Sequence, residues 1–204
     1  ISENLREFII TWKIENFSYS WHKNNEAIAS PEFRSNTLEY TEWRLSVYPR
    51  GKTRRDYIAC LLERNWNGPQ EIQLNVDISF LGTEGSALAQ KVSKNESFTK
   101  NVPKGFYSFV KRDVVFADER EEFLPGDILT VRCRLWTNDM NTLDPEKRFA
   151  RTRIGVVRKL ISGAVDRFSS IPTAEVRSVR ITSASKEINE YRMNLQLTDG
   201  TNCD

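Results

Sequence analysis

Phe8–Phe17 reads FIITWKIENF, an apolar run that passes into alternation, with Trp12 and Ile14 on one side and Lys13 and Glu15 on the other. A period of two is the mark of a half-buried strand. Asn16, Phe17 and Ser18 then break the run, because Asn and Ser compete for backbone hydrogen bonds and favour turns. A Trp early in such a pattern is expected to anchor a core, since its ring buries more area than any other side chain.

The same period recurs downstream. In Glu42–Tyr48, Trp43, Leu45 and Val47 alternate with Arg44, Ser46 and Tyr48, and Pro49-Arg50-Gly51 ends the run. Tyr57–Leu62 is continuously apolar, as in a strand covered on both faces. Asn67-Gly68-Pro69 is a turn signal. After it, Ile72, Leu74, Val76, Ile78 and Phe80 give the cleanest alternation in the chain. Leu129, Val131, Cys133 and Leu135 form a last strand, opposed by Arg132, Arg134 and Trp136. Between these, Ala27–Ser35 is a weak strand broken by Pro31, expected at an edge or bulge. Leu81–Lys94, with Gly82 and Gly85, reads as a loop holding at most a short strand. Phe98 to Val110 reads as a bent region around Pro103 and Gly105, and Asp118–Phe123 as one helical turn capped by Asp118. Short strands at this spacing, with almost no helical period, predict an all-β chain: an antiparallel β-sandwich of about eight strands, followed by a partial second β unit.

Composition agrees with a globular chain. Hydrophobic residues are 39% and aromatics 11% of 204, and the net charge is +2. Acids and bases are interspersed, so no overall field argues for nucleic acid or membrane. The chain starts with Ile and is expected to be a piece of a longer one. It has no apolar run near the ~20 residues a membrane helix needs. Cys60, Cys133 and Cys203 are far apart and form no Cys-x-x-Cys pair, which argues against zinc and fits a reducing setting in the nucleus or cytoplasm. No cofactor is expected.

Taken in order, four motifs resemble the MATH domain, the meprin and TRAF homology family. They are Trp12-Lys13-Ile14-Glu15-Asn16-Phe17; Trp43-Arg44-Leu45-Ser46-Val47-Tyr48-Pro49-Arg50-Gly51; Gly105-Phe106 with Phe109-Val110-Lys111-Arg112-Asp113; and Leu124-Pro125-Gly126-Asp127 with Leu129-Thr130. Together they are similar to the speckle-type POZ protein branch, in which a BTB domain recruits a cullin. The resemblance implies a sandwich that binds extended peptide segments of protein substrates, as the receptor part of a ubiquitin ligase adaptor. Any cullin would be reached only through a BTB domain that this chain does not contain. The alternative is the targeting domain of a ubiquitin-specific protease or a TRAF-type signalling scaffold. Neither role is enzymatic. By alignment the groove positions are Leu61, Leu74, Glu96, Lys104 and Phe106. The branch carries Tyr, Phe, Tyr and Trp at the first four, so this more aliphatic, more charged groove is expected to prefer a different peptide. Glu96 beside Lys104 would suit a charged one.

Beyond Thr137 the pattern changes. Asn138–Arg148 is polar and without period. Ser162–Ser169, SGAVDRFS, then lines up with Thr11–Ser18, TWKIENFS, while Val179 and Ile181 take the places of Leu45 and Val47, and Tyr191 and Leu195 those of Tyr57 and Leu61. The implied organisation is a MATH domain over 1–137, a linker over 138–150 and the N-terminal part of a second, divergent MATH-like domain over 151–204.

Other signals have plainer readings. His22 is the single histidine and lies in a polar loop with no glycine-framed nucleophile, which argues against a catalytic triad. Arg50-Gly51-Lys52-Thr53 lacks the leading glycine of a phosphate loop, since Ser46 stands there. Arg50, Lys52, Arg54 and Arg55 read as a solvated hairpin tip without a stacking platform for bases. The sequons at Asn16 and Asn95 read as chance. Asp118, Glu119, Glu121 and Glu122 read as a solvated face.

Overall fold

The alternation in the opening stretch becomes strand β1, Glu7–Glu15, in which Phe8, Ile10, Trp12 and Ile14 are all buried. The structure is a computed structural model, and it describes residues 7–65, 68–137, 145–155, 172, 176–181 and 191–196. The short strands β2 (Ile28–Ala29) and β3 (Phe33–Arg34) flank Pro31 and both pair with β4, Glu42–Tyr48. Then come β5 (Tyr57–Arg64), β6 (Glu71–Leu81), β7 (Ala87–Thr99), β8 (Lys104–Lys111), β9 (Ile128–Trp136) and β10 (Glu146–Arg153).

These strands form two sheets, in the orders β10-β1-β9-β6-β7 and β2-β4-β5-β8. All the pairings are antiparallel except β1 with β10. The two inner faces supply one core. Phe8, Trp12, Ile14, Ile78, Phe80, Val131 and Leu135 come from the first sheet, and Trp43, Leu45, Val47, Ile58, Cys60 and Leu62 from the second. Burial of such side chains contributes roughly 1.5–3 kcal/mol each, which is why alternation alone locates these strands. Both inner Trp residues also satisfy their indole N–H: Trp12 donates to Thr152 Oγ1 at 3.0 Å and Trp43 to Thr41 Oγ1 at 2.7 Å. The all-β sandwich is therefore as the sequence implies.

The turn after β1 is held from the far end of the domain. Asn16 takes the left-handed conformation, at φ 58°. Asp127 accepts from the Ser18 backbone N–H at 2.9 Å and from its hydroxyl at 2.8 Å. The Leu-Pro-Gly-Asp motif thus closes onto the opening motif. Between β8 and β9 a π-helical turn, Val114–Asp118, precedes a short helix, Arg120–Phe123. Its cap position is Glu119, and no side chain caps it, so Asp118 does not play the capping part expected of it. The four carboxylates here are exposed.

Two sequence expectations need correction. The segment read as a loop over Leu81–Lys94 contains most of β7, the longest strand at 13 residues. It is a sheet edge, and of its residues only Phe98 is buried, so it has no apolar period to read. The polar stretch read as linker over 138–150 ends inside β10, which lies parallel to β1 from Phe8↔Glu146 to Glu15↔Arg153. The compact unit runs accordingly over Ile1–Val156 rather than stopping at 137. β10 too is a polar edge. Ion pairs hold it: Arg151 and Arg153 both engage Glu15.

The second unit, Val157–Asp204, is described only through one antiparallel hairpin of β11 (Val176–Ile181) and β12 (Tyr191–Gln196). The repeat expected at Ser162–Ser169 lies outside the described residues, as does Cys203, and the turn expected at Asn67-Gly68-Pro69 lies partly outside them. The hairpin pairs the two strands that the expected repeat would equate with β4 and β5, in a tighter register. Ile181 faces Tyr191, whereas Val47 faces Cys60, three residues beyond the equivalent Tyr57.

Candidate peptide-binding cleft

β7 ends one sheet and β8 ends the other, so the sandwich is open along the seam between them. A cleft of 260 Å³ lies on this seam, lined by the core residues Val76 and Phe98, by Ser93 and Glu96 of β7, and by Pro103 to Tyr107. Glu96, Lys104 and Phe106, three of the five residues singled out from sequence, come together there. Lys104 Nζ lies 3.2 Å from Glu96 Oε1, and both side chains are about one-third exposed, at 32% and 34%. The Ser93 hydroxyl donates to Glu96 Oε2 at 2.8 Å. That hydrogen bond is the main reason the Glu96 carboxyl sits below its usual value; burial opposes it and Lys104 adds to it. Phe106 is half-buried, its ring 6.1 Å from that of Phe109, which in turn packs 4.7 Å from Phe80. One face of the Phe106 ring is thereby anchored to the core.

Leu61 and Leu74 do not line the cleft; each is 1% exposed. Leu74 faces Glu96 across the β6–β7 pair but belongs to the inner core, and a register shift between Leu74 and Val76 brings Val76 to the cleft instead. Leu61 alternates with Cys60 and Leu62, so it points away from the core they fill. It is paired with Gly105. Gly105, at φ +147°, is in a backbone region that L side chains rarely adopt. A Cβ there would stand 2.5 Å from the Cys60 carbonyl oxygen. The glycine lets β8 close against β5 and turn Phe106 into the seam.

Sequence reasoning missed Ser93 and Tyr107. Their signals are slight: a serine three residues before the glutamate, and an aromatic directly after Phe106. Tyr107 is 41% exposed and carries Lys52 over its ring at 5.8 Å, so the basic hairpin tip reaches the rim of the cleft. Lys91 ties the two edges together by donating to the Ser108 carbonyl of β8. β7 is the terminal strand of its sheet, so among the described residues no strand pairs with its outer edge, the position at which an extended chain can add.

No comparable constellation surrounds His22, whose Nδ1 finds no partner among the described residues. Among those residues no group of His, Cys, Asp and Glu is placed to hold a metal ion. No helix among them is long and apolar enough to cross a membrane. Cys60 and Cys133 are free and buried in the core, and burial pushes both thiols well up from their ordinary value.

The family model described as the MATH domain matches residues 9–135. TD and POZ domain-containing protein 3 of Mus musculus is 26% identical over 135 residues, 65% of this chain and 37% of the relative. TD and POZ domain-containing protein 1 of Mus musculus is 28% identical over the same shares. The chain thus spans about 37% of the length of these curated relatives. Among solved structures, Notothenia coriiceps TRAF5 superimposes with a TM-score of 0.52 at 18% identity, over 67% of this chain and 75% of that one. At that identity the likeness is one of fold.

Proposed function

The chain belongs to the MATH domain family, a family of protein-interaction modules, and we propose that it captures extended peptide segments of protein substrates in the cleft between β7 and β8. The observation that carries this reading is the meeting of Glu96, Lys104 and Phe106 beside an unpaired strand edge. Backbone hydrogen bonds along β7 would supply affinity, and the three side chains would supply choice. The role is non-catalytic. With one half-buried aromatic as anchor, affinity is expected to be roughly micromolar. Leu61 and Leu74, buried and outside the cleft's lining, are not contacts in this reading.

In the full protein, this module would be the substrate receptor of a BTB–cullin ubiquitin ligase, working in the nucleus or cytoplasm. The mouse relatives are named for a POZ domain, and that supports a BTB (POZ) domain elsewhere in the full protein. The hairpin β11–β12 would then be part of a second, divergent MATH-like copy.

Isothermal titration with peptides from a candidate substrate tests the cleft. Phe106→Ala removes the ring and is expected to weaken binding by roughly tenfold or more, since truncating a central anchor costs ~1–2 kcal/mol or above. Equal binding by wild type and variant would remove this cleft from the reading.

A further inference from the structure

The stretch Ala87–Lys111, which forms β7, β8 and the turn between them, holds five lysines (Lys91, Lys94, Lys100, Lys104, Lys111) and a single carboxylate, Glu96. Its net charge is +4, against +2 for the whole chain, so the two strands that make the cleft are far more basic than the molecule they belong to. We propose that the cleft selects extended peptides bearing acidic side chains, carboxylate or phosphate, and that Lys104 is the residue that selects them. This deepens the peptide-binding reading and rests on it.

The geometry favours an anion at this point. An ammonium group has three donors, and Glu96 Oε1 occupies one side of Lys104 at 3.2 Å. The Ser93 hydroxyl holds the other Glu96 oxygen, which keeps that carboxylate to one side. Lys104, one-third exposed, therefore presents its remaining donors to whatever lies in the cleft. Lys52, above the Tyr107 ring, adds a second cation at the rim; Lys91, which donates to the Ser108 carbonyl, lies outside the lining and contributes only its charge at the seam. The neighbouring acids of β6 do not line the cleft and are engaged elsewhere: Glu71 accepts from Ser97, and Asp77 from Ser79 and Gln90. A basic peptide would be repelled by these lysines, and a neutral one would gain nothing from them. The occupant is a polypeptide rather than a nucleic acid, because β7 is the terminal strand of its sheet, where an extended chain can add, and the cleft has no flat run of aromatics for bases to stack on.

Fluorescence anisotropy on the whole 204-residue chain tests this. The probes are a Ser/Thr/Ala peptide and versions of equal length with serines replaced by Asp, by phosphoserine or by Lys, together with a single-stranded oligothymidylate. The Asp and phosphoserine peptides are expected to bind more tightly than the neutral one by roughly three- to fivefold for each charge placed against a lysine. That advantage should vanish near 1 M salt, where the screening length falls to about 3 Å. A gain for phosphoserine alone would identify phosphate as the ligand and still support the proposal. Lys104→Glu is expected to reverse the order of the Asp and Lys peptides, and Glu96→Gln to tighten the Asp peptide. If neutral and Asp peptides bind equally and both lose affinity with Phe106→Ala, the charge selection is wrong and the peptide cleft stands. If no peptide binds, both are wrong. If the oligothymidylate binds more tightly than any peptide and depends on Lys104, the ligand class is wrong.

Discussion

Glu96 shows how a single hydroxyl sets the state of the cleft. Its folded carboxyl is held below the usual carboxylate range, first by the Ser93 hydroxyl and then by Lys104. A carboxyl whose folded pKa is depressed contributes stability above its unfolded pKa and loses that contribution as pH falls through the folded one. The Glu96–Lys104 pair should therefore persist below the pH at which an ordinary glutamate is neutral. Ser93→Ala deletes the largest cause of the shift. The Glu96 titration midpoint, followed by carboxyl NMR, is expected to move up towards the ordinary value in that variant. An unmoved midpoint would show that Lys104 alone holds the charge. The pair itself is too exposed to stabilise the fold by more than about 0–1 kcal/mol. Its importance lies in what it does with Lys104.

At the scale of the element, β10 is the strand with most to explain. It continues the first sheet past the end of the family match, at residue 135. Its Thr152 accepts from the buried indole of Trp12, its Arg151 and Arg153 engage Glu15, and the Ile154 carbonyl accepts from Asn16 at 2.9 Å. Without it the Trp12 N–H would lie buried and unpaired, a loss of about 1–3 kcal/mol before the strand pairing itself is counted. A chain ending at residue 145 is expected to be less stable than one ending at 155 by about 3 kcal/mol in all, seen as a lower urea midpoint. Coincident urea curves would mean that β10 is merely laid on the edge. β7 makes the converse point. Its outer edge is unpaired among the described residues, which in a natural sheet invites either protection or a partner. Lys91 and Lys94 on it serve the first end, and in the proposed acidic-peptide cleft Lys104 of β8, across the seam, chooses the second.

For the molecule as a whole, the governing feature is how far apart in the chain its central partners lie. β1 pairs with β9 and with β10, each more than a hundred residues downstream. The loop-closure entropy of such pairings must be met before their contacts form. Folding is therefore expected on the millisecond-to-second scale typical of all-β sandwiches, read by stopped-flow fluorescence of the buried Trp12 and Trp43. A microsecond relaxation would contradict this topology. The same scale explains the electrostatics. A net charge of +2 says almost nothing about partners, whereas folding sets Lys104 of β8 beside Glu96 in the cleft and brings Lys52, from the hairpin tip, over Tyr107 at its rim.

By itself the sequence determined the sandwich and its inner strands. β1, β4, β5, β6 and β9 bury one face or both, and burial is a local property that writes its period directly into the residues. Only the tertiary structure could reveal β7 and β10, because an edge strand is held by pairing with a distant neighbour and need not be apolar. It also decided the membership of the cleft. Glu96, Lys104 and Phe106 converge there, while Leu61 and Leu74 are buried outside its lining: Leu74 belongs to the inner core, and strand parity turns Leu61 away from that core, opposite Gly105. Residue type records what a side chain can do. Which way it points depends on the register between strands that meet only when the chain has folded.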